Sequence, residues 1–209
     1  MPTETELSDA LVTLEEFVEK IGDNIVERNL SVLNATINGK DITLTGHICR
    51  DDNHFYYIGG HEELDGAIVA FHYSLIENIA AEIPEEHAIE VLGTAGIEAG
   101  ENDPRLIAAQ YLFQSIDISQ ARDLISHLRI EKSEADTQLT ISENEIGYPI
   151  EFAVERMIFP YEDDFNIRDF YDGVIPVVET GKKLSEVLRI QISLHLSEED
   201  PRNTRLTIE

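Results

Sequence analysis

Apolar and polar residues alternate along the N-terminal half in a way that predicts one helix followed by strands. From residue 8 to residue 28, apolar residues recur every three or four positions, which predicts an amphipathic helix over 8–28 with Ser8 or Asp9 as its N-cap. The segment that follows has two alternating runs on either side of Asn38-Gly39, the preferred pair for a tight type I′ turn. This pattern predicts a β-hairpin.

A second hairpin and a capped helix are predicted next. The turn-forming residues 51–53 precede a returning strand at 54–58, and the apolar run at 66–73 predicts a further strand. Ser74 stands three residues before Glu77, the spacing of a capping box, so a helix is expected to begin there.

The middle of the chain is irregular. Residues 88–92 are interpreted as a short strand, and the Gly-rich segment 91–104 as a loop or linker. The apolar run 106–116 fits either a helix or a buried strand, because short apolar runs are ambiguous by periodicity. Residues 118–128 predict a helix.

The C-terminal region predicts two strands and a long helix. Strands at 137–145 and 149–159 are expected to meet at Gly147. Residues 166–189 predict a helix that Pro176 kinks or divides.

The order of these elements predicts an α+β fold, with antiparallel β-hairpins or sheets and helices packed on one face. The chain divides into an N-terminal half at 1–90, the linker 91–104 and a C-terminal half at 105–209. The halves are two similar α-β-β-α series, which form either separate domains or one compact domain.

The net charge of the chain limits the classes of partner that it is expected to bind. The 209 residues include 42 acidic and 15 basic ones, for a formal net charge of −27, and the acids are spread along the chain. Such a negative field repels nucleic acid and anionic membranes and attracts solvent cations. The acidic, lysine-poor composition resembles that of halophilic archaeal proteins, which implies adaptation to salt. The alternative is an acidic mesophilic protein, such as a mimic of nucleic acid.

Cellular location is predicted from what the chain lacks. Cys49 is the single cysteine, so no disulfide can form within the chain. The N-terminus lacks the basic and apolar regions of a signal peptide, and no apolar run approaches the length of a membrane span. We therefore expect a soluble cytoplasmic protein.

A cluster between Gly46 and His61 is the main candidate for a metal site. His47 and Cys49 share one face of a strand, and a two-residue hairpin turn would place His54 on that face too. His61 or a neighbouring acid could complete a zinc shell, the acids being Glu62, Glu63 and Asp65. In the alternative interpretation, Cys49 is a small buried residue, 51–53 are turn formers and no cofactor is bound.

Other catalytic and binding motifs are missing. Gly93, Gly96 and Gly100 match neither a dinucleotide-binding loop nor a P-loop, and no GxSxG is present. Phe55 and Tyr57 are expected to face the core instead of stacking bases, because the cations that attract phosphate are lacking. These absences favour a protein that is not an enzyme.

The segment 150–188, a strand followed by proline, acids and a helix, resembles the closing part of YbjN and type III secretion chaperone-like domains. Members of that group commonly dimerise and hold partner segments, so the resemblance implies a chaperone-like binding role and no catalytic residues.

The favoured hypothesis is therefore a non-catalytic, salt-adapted protein that binds a partner protein, or itself as a homodimer, through a strand edge or an apolar helix face. Six candidate interface residues lie on the last predicted helix, although core packing is an alternative role for them: Phe170, Tyr171, Val174, Ile175, Val177 and Val178. The rival hypothesis is a metal-dependent enzyme that uses His47, Cys49 and His54.

Overall fold

The structure is a computed structural model that describes residues 2–37, 40–114, 116, 138–143, 149–190 and 192–208. The elements within these ranges, in chain order, are α1 (Glu4–Ile21), β1 (Asn24–Ile37), β2 (Lys40–Asp51), β3 (His54–Gly60), β4 (Ala67–Ser74), α2 (Leu75–Glu82), α3 (Glu85–Ala95), α4 (Pro104–Phe113), β5 (Gln138–Glu143), β6 (Pro149–Ile158), α5 (Ile167–Ile190), β7 (Ile192–His195), a 3₁₀ turn (Pro201–Asn203) and β8 (Arg205–Ile208).

Helix α1 begins earlier than predicted. Thr3 caps it through a complete capping box: Thr3 Oγ1 accepts the N–H of Glu6 at 3.2 Å, and the Glu6 carboxylate accepts the N–H of Thr3 at 2.7 Å. The prediction that Ser8 or Asp9 is the cap was wrong, because the Thr3–Glu6 pair satisfies the first free N–H groups before the chain reaches those residues.

Helix α1 also ends earlier than predicted. Gly22 adopts a left-handed conformation with φ 95° at its C-cap, and the chain enters β1 at Asn24. A left-handed residue ends a helix, and glycine reaches that conformation without steric cost. The predicted range 8–28 was therefore wrong at both ends.

The sheet is antiparallel and has the strand order β1-β2-β3-β4-β6-β5. In the first hairpin Ile37 pairs with Lys40, as the sequence predicted, while Asn38 and Gly39 lie outside the described residues. Strand β2 pairs with β3 and β3 with β4, which confirms the second hairpin and the strand after it. The predicted α+β class is thus confirmed.

Helices α1 and α5 cover one face of the sheet. The His47 side chain on β2 contacts the carbonyl of Leu11 on α1. Gly181 on α5 packs so closely against the Phe71 ring on β4 that an added Cβ would lie 2.3 Å from a ring carbon. Glycine at this position therefore allows the close approach of helix and strand.

The opposite face of the sheet carries a smaller apolar cluster, in which the partly buried Ile48 and Ile68 pack against buried Ile42, Leu44, Tyr57, Leu64 and Ala70. Tyr57 thus lies in a core, as expected. Phe55 does not: its side chain is 52% exposed, so the expectation that it faces the core was wrong. Phe55 is the second residue of β3, directly after the turn, and lies opposite Arg50.

Helix α2 begins as predicted, because Ser74 Oγ accepts the N–H of Glu77 at 3.2 Å. The prediction of a strand at 88–92 was wrong, since these residues lie inside α3. Three apolar residues at helical spacing are buried there, Ala88, Val91 and Leu92.

The loop within the Gly-rich segment 91–104 is also shorter than predicted. Helix α3 continues to Ala95 and ends at Gly96, whose φ is 72°, and α4 already begins at Pro104. Gly93 lies within the helix, which shows that a single glycine did not interrupt the apolar stripe. The ambiguous run 106–116 is largely helix α4.

The C-terminal region agrees with the sequence in its main elements. Strands β5 and β6 and helix α5 are present, and Pro176 lies inside one continuous helix instead of dividing it. The predicted helix 118–128 and the turn at Gly147 lie outside the described residues. Strands β7 and β8 form an antiparallel pair that was not predicted.

Two compact units are built from interleaved segments. Unit 1 comprises 1–72, 132–139 and 153–182, and unit 2 comprises 73–131, 140–152 and 183–209. Among the described helices, none combines the length and hydrophobicity that crossing a bilayer requires.

Candidate functional site

The β2–β3 hairpin brings several of the predicted site residues onto one face. Cys49 pairs with Tyr56 and Asp51 pairs with His54, so the turn between the strands has two residues. Because side chains alternate along a strand, His47, Cys49 and His54 share a face, as a metal site there would require. His61 follows the end of β3.

His47 is occupied by hydrogen bonds within unit 1. Its side chain is 3% exposed; Nδ1 accepts the N–H of Asn29 at 3.4 Å, and Nε2 lies 3.2 Å from the Leu11 carbonyl, to which it donates. A histidine ligates a metal through a nitrogen lone pair. In His47 the one available lone pair accepts from the backbone, so the residue acts as a core histidine.

Cys49 is equally unsuited to ligate a metal or act as a nucleophile. Its side chain is completely buried, and burial raises the pKa of the thiol to about 12, with the charges of Asp23 and Glu15 acting in the same direction. Thiolate is the form that binds metal and attacks substrates. Cys49 is therefore a protonated, apolar core residue at neutral pH.

The remaining predicted ligand, His61, uses Nδ1 to accept the N–H of Glu63 at 3.0 Å. Throughout the described ranges, no three His, Cys, Asp or Glu side chains are grouped as a metal site would need. The zinc hypothesis thus gains no support from the geometry of His47, Cys49, His54 and His61.

These residues belong instead to a network that we call the hairpin cluster: His47, Cys49, Asp51, His54 and Tyr56 with Asp23 and Lys182. Lys182 on α5 pairs with Asp51 Oδ2, and His54 Nδ1 lies 3.9 Å from Asp51 Oδ1. The Tyr56 hydroxyl donates to Asp23 Oδ2 at 2.6 Å. Burial raises the pKa of Asp23 and of Tyr56 above their ordinary values. The His47 nitrogens, the Tyr56 hydroxyl and the Lys182 ammonium thus have partners within unit 1, whereas the buried Asp51 Oδ1 accepts no hydrogen bond from the described residues.

The predicted interface residues on α5 are mainly core residues. Phe170, Val174, Val177 and Val178 are buried within this chain, Ile175 is half-buried, and only Tyr171 is exposed, at 49%. Phe170 packs against the Phe17 ring on α1. Four of the six residues are thus unavailable to a partner, and packing against the neighbouring elements accounts for their helical spacing.

Unit 1 carries a depression that sequence reasoning missed and that we call the acidic groove. It consists of two cavities of about 310 and 240 Å³ that share Arg156 and Met157. Its other lining residues are Ile68, Gln138, Glu155, Ile158, Phe159, Glu162, Asp164, Phe165, Asp169, Asp172 and Gly173. Five carboxylates thus surround one arginine and several apolar side chains.

The carboxylates of the acidic groove are expected to repel anions. Burial raises the pKa of Glu155, while the nearby His72 acts in the opposite direction. Asp169 Oδ2 accepts the N–H of Asn166 at 3.0 Å, and Asp172 pairs with Arg168 at 3.7 Å. Glu162 and Asp164 are also exposed, and neither carboxylate has an ion-pair partner among the described residues.

Unit 2 contains a different concavity, which we call the arginine pocket. Its volume is about 600 Å³, and it is lined by Val91, Thr94, Tyr111, Leu112, Gln114, Pro201, Arg202, Thr204 and Arg205. The one signal for it in the sequence is the pair of arginines in PRNTR, 201–205, within an otherwise acidic tail.

Comparison with known proteins found a protein of similar fold but gave no information on activity. No family model and no curated protein matches the chain. A crystal structure of an uncharacterized protein from Methanothermobacter thermautotrophicus is similar, with a TM-score of 0.51 and 9% sequence identity over 87% of this chain and 97% of that one. At this identity the likeness concerns the fold alone.

Proposed function

We propose that this chain is a non-catalytic, salt-adapted cytoplasmic protein that holds a basic segment of a partner protein in the acidic groove. The observation that carries the proposal is the combination of carboxylates with exposed apolar side chains in one depression: Met157 is 41% exposed and Phe159 44%. Met and aromatic residues are enriched where proteins bind one another.

The acidic and apolar side chains of the groove favour a partner segment that is both basic and apolar. A segment that carries Lys or Arg next to an apolar residue would place its cations beside Glu162 and Asp164 and its apolar side chain against Phe159. Methionine adapts to different partner shapes, since its side chain is flexible and polarizable, and Met157 lines both cavities. The chaperone-like role implied by the resemblance at 150–188 requires the same adaptability.

Addition of a partner strand to β1 is less favourable. The pairing of β1 with β2 contains three register shifts, Asn29 has a positive φ of 53°, and Glu27 and Arg28 are exposed on the strand. Bulges and charges of this kind protect an edge strand from pairing with another chain. A second copy is also an unfavourable occupant, because each carries a net charge of −27.

Peptide binding tests this proposal. The probe is a fluorescent peptide of alternating Lys and Phe, with a control peptide in which Glu replaces each Lys. The double variant Glu162→Gln/Asp164→Asn removes two exposed charges and spares Asp169, which accepts the N–H of Asn166 at the start of α5. Its matched control is Glu198→Gln/Glu199→Gln, which removes two exposed charges from unit 2.

We expect fluorescence anisotropy to show about tenfold weaker binding of the basic peptide by the groove variant, because it loses two charge-assisted contacts. The control variant should stay within about twofold of the unchanged protein. Equal binding of both peptides, or equal losses in both variants, would exclude the groove as the site. A dimeric mass in light scattering that the groove variant abolishes would make a second copy the occupant.

A further inference from the structure

The arginine pocket differs in charge from the rest of the molecule. Among 42 acidic and 15 basic residues in the chain, its nine lining residues include two arginines and no acid. Its apolar walls come from α3 and α4, where Val91 and Leu112 are buried, and the Tyr111 ring is partly exposed beside them. An apolar cavity with a few converging polar groups is the usual form of a small-molecule site.

One arginine is held in place and the other is available. Asp200 accepts hydrogen bonds from the Arg202 backbone N–H at 3.1 Å, from Nε at 2.9 Å and from Nη2 at 2.8 Å, so this guanidinium is positioned and its charge is paired. Arg205 is exposed at the start of β8 and has no ion-pair partner within the described residues. The net positive charge at the pocket is therefore that of Arg205.

The backbone that carries both arginines is fixed by a buried threonine. Thr204 Oγ1 lies 2.7 Å from Nε2 of His87 on α3 and accepts the N–H of Ser197 at 3.1 Å. These two bonds hold the segment against α3. The backbone from which Arg205 projects is thus held beside the apolar walls, so binding does not have to order this segment.

We propose that the arginine pocket binds a small organic anion, with its charged group on Arg205 and its apolar body against Val91, Leu112 and Tyr111. The forked guanidinium favours the planar or tetrahedral oxyanion of a carboxylate, phosphate or sulfonate. This site is independent of the acidic groove, since it belongs to unit 2 and selects the opposite charge.

A pair of fluorescent probes tests the proposal. 8-Anilinonaphthalene-1-sulfonate carries an anion on an aromatic body, and N-phenyl-1-naphthylamine has a nearly identical body without the anion. Titrations are made at the lowest salt concentration that preserves the far-UV circular dichroism spectrum, because chloride competes for Arg205. The variants are Arg205→Gln, the matched control Arg168→Gln in unit 1, and Thr94→Trp, which fills the pocket from an exposed helical position.

We expect one saturable sulfonate site, about tenfold weaker binding in Arg205→Gln, and binding within about twofold in Arg168→Gln. The uncharged probe should lose less than about twofold in Arg205→Gln, and Thr94→Trp should block both probes. Equal affinity for the two probes, or equal effects of the two arginine variants, would overturn the assignment. Sulfonate binding that persists in Thr94→Trp would also overturn it, and this variant keeps the test decisive should Arg205→Gln fail to fold.

Discussion

The hairpin cluster and the arginine pocket both place polar side chains next to apolar ones. They differ in whether those polar side chains already have partners within the protein. In the hairpin cluster both His47 nitrogens, the Tyr56 hydroxyl and the Lys182 ammonium already have partners within unit 1. In the arginine pocket the guanidinium of Arg205 has no ion-pair partner among the described residues.

This difference separates a structural polar network from a binding site. A polar group that the fold has already satisfied contributes to stability, because removing it leaves another buried group without a partner. A charged group that the fold leaves available can contribute to ligand affinity instead. Substitutions in the first region should therefore change stability, and those in the second should change binding.

The largest loss of stability is expected for His47→Leu. This variant keeps an apolar side chain in the buried position but leaves the Asn29 amide without its acceptor, so the free energy of unfolding should fall by about 2 kcal/mol. The control is His61→Leu at the end of β3, which should cost below about 1 kcal/mol. Denaturant unfolding in high salt measures both. Equal costs would contradict the structural role of His47, and metal lost by His47→Leu would support the zinc hypothesis.

A smaller loss is expected for Lys182→Met. Methionine keeps most of the apolar stem but removes the cation from Asp51, a carboxylate that is 17% exposed, so unfolding should require about 1–2 kcal/mol less. Lys20→Met provides the comparison, because its pair with Glu16 is exposed and should be worth below about 0.5 kcal/mol. If the two variants lose equal stability, the Lys182 pair contributes no more than a surface contact.

Substitution of Asp23 is expected to change stability less than Lys182→Met does, and in a way that depends on pH. Because burial raises the pKa of this carboxyl, the folded state holds its proton more tightly than the unfolded chain does. The group therefore lowers the free energy of unfolding as the pH rises from its ordinary pKa, about 3.9, towards the raised value. Asp23→Asn should be the more stable protein at neutral pH, and the advantage should disappear below about pH 4. Thermal unfolding across this range measures it, and a pH-independent difference would contradict the assignment.

The smallest change in stability is expected for Arg205→Gln, within about 0.5 kcal/mol, because the side chain is exposed and has no ion pair with any residue of the described ranges. Its predicted effect is on binding of the sulfonate probe. A loss of stability as large as that of His47→Leu would show that Arg205 supports the fold, and the contrast between the two regions would fail.

Local signals predicted much of the fold. The hairpin turns, the cap at Ser74 and the apolar stripe of α5 each depend on residues a few positions apart. The errors arose where two local signals competed, as at Ser8 and Thr3, or where Gly93 and Gly96 suggested a loop although the apolar stripe continued to Ala95. Distinguishing these cases requires knowing which apolar residues are buried.

By itself, the sequence determined the acidic character of the chain, the α+β class and the strand alternation that places His47 and Cys49 on one face. The pairing of Asp51 with His54, which adds His54 to that face, came from the structure. Only the tertiary structure decided which polar groups remain available. His47 is satisfied by Leu11, 36 residues away, Asp51 pairs with Lys182, 131 residues away, and Thr204 contacts His87 across 117 residues. Because such contacts join distant parts of the chain, no spacing within a short motif could reveal whether a histidine is a ligand or whether an arginine lines a pocket.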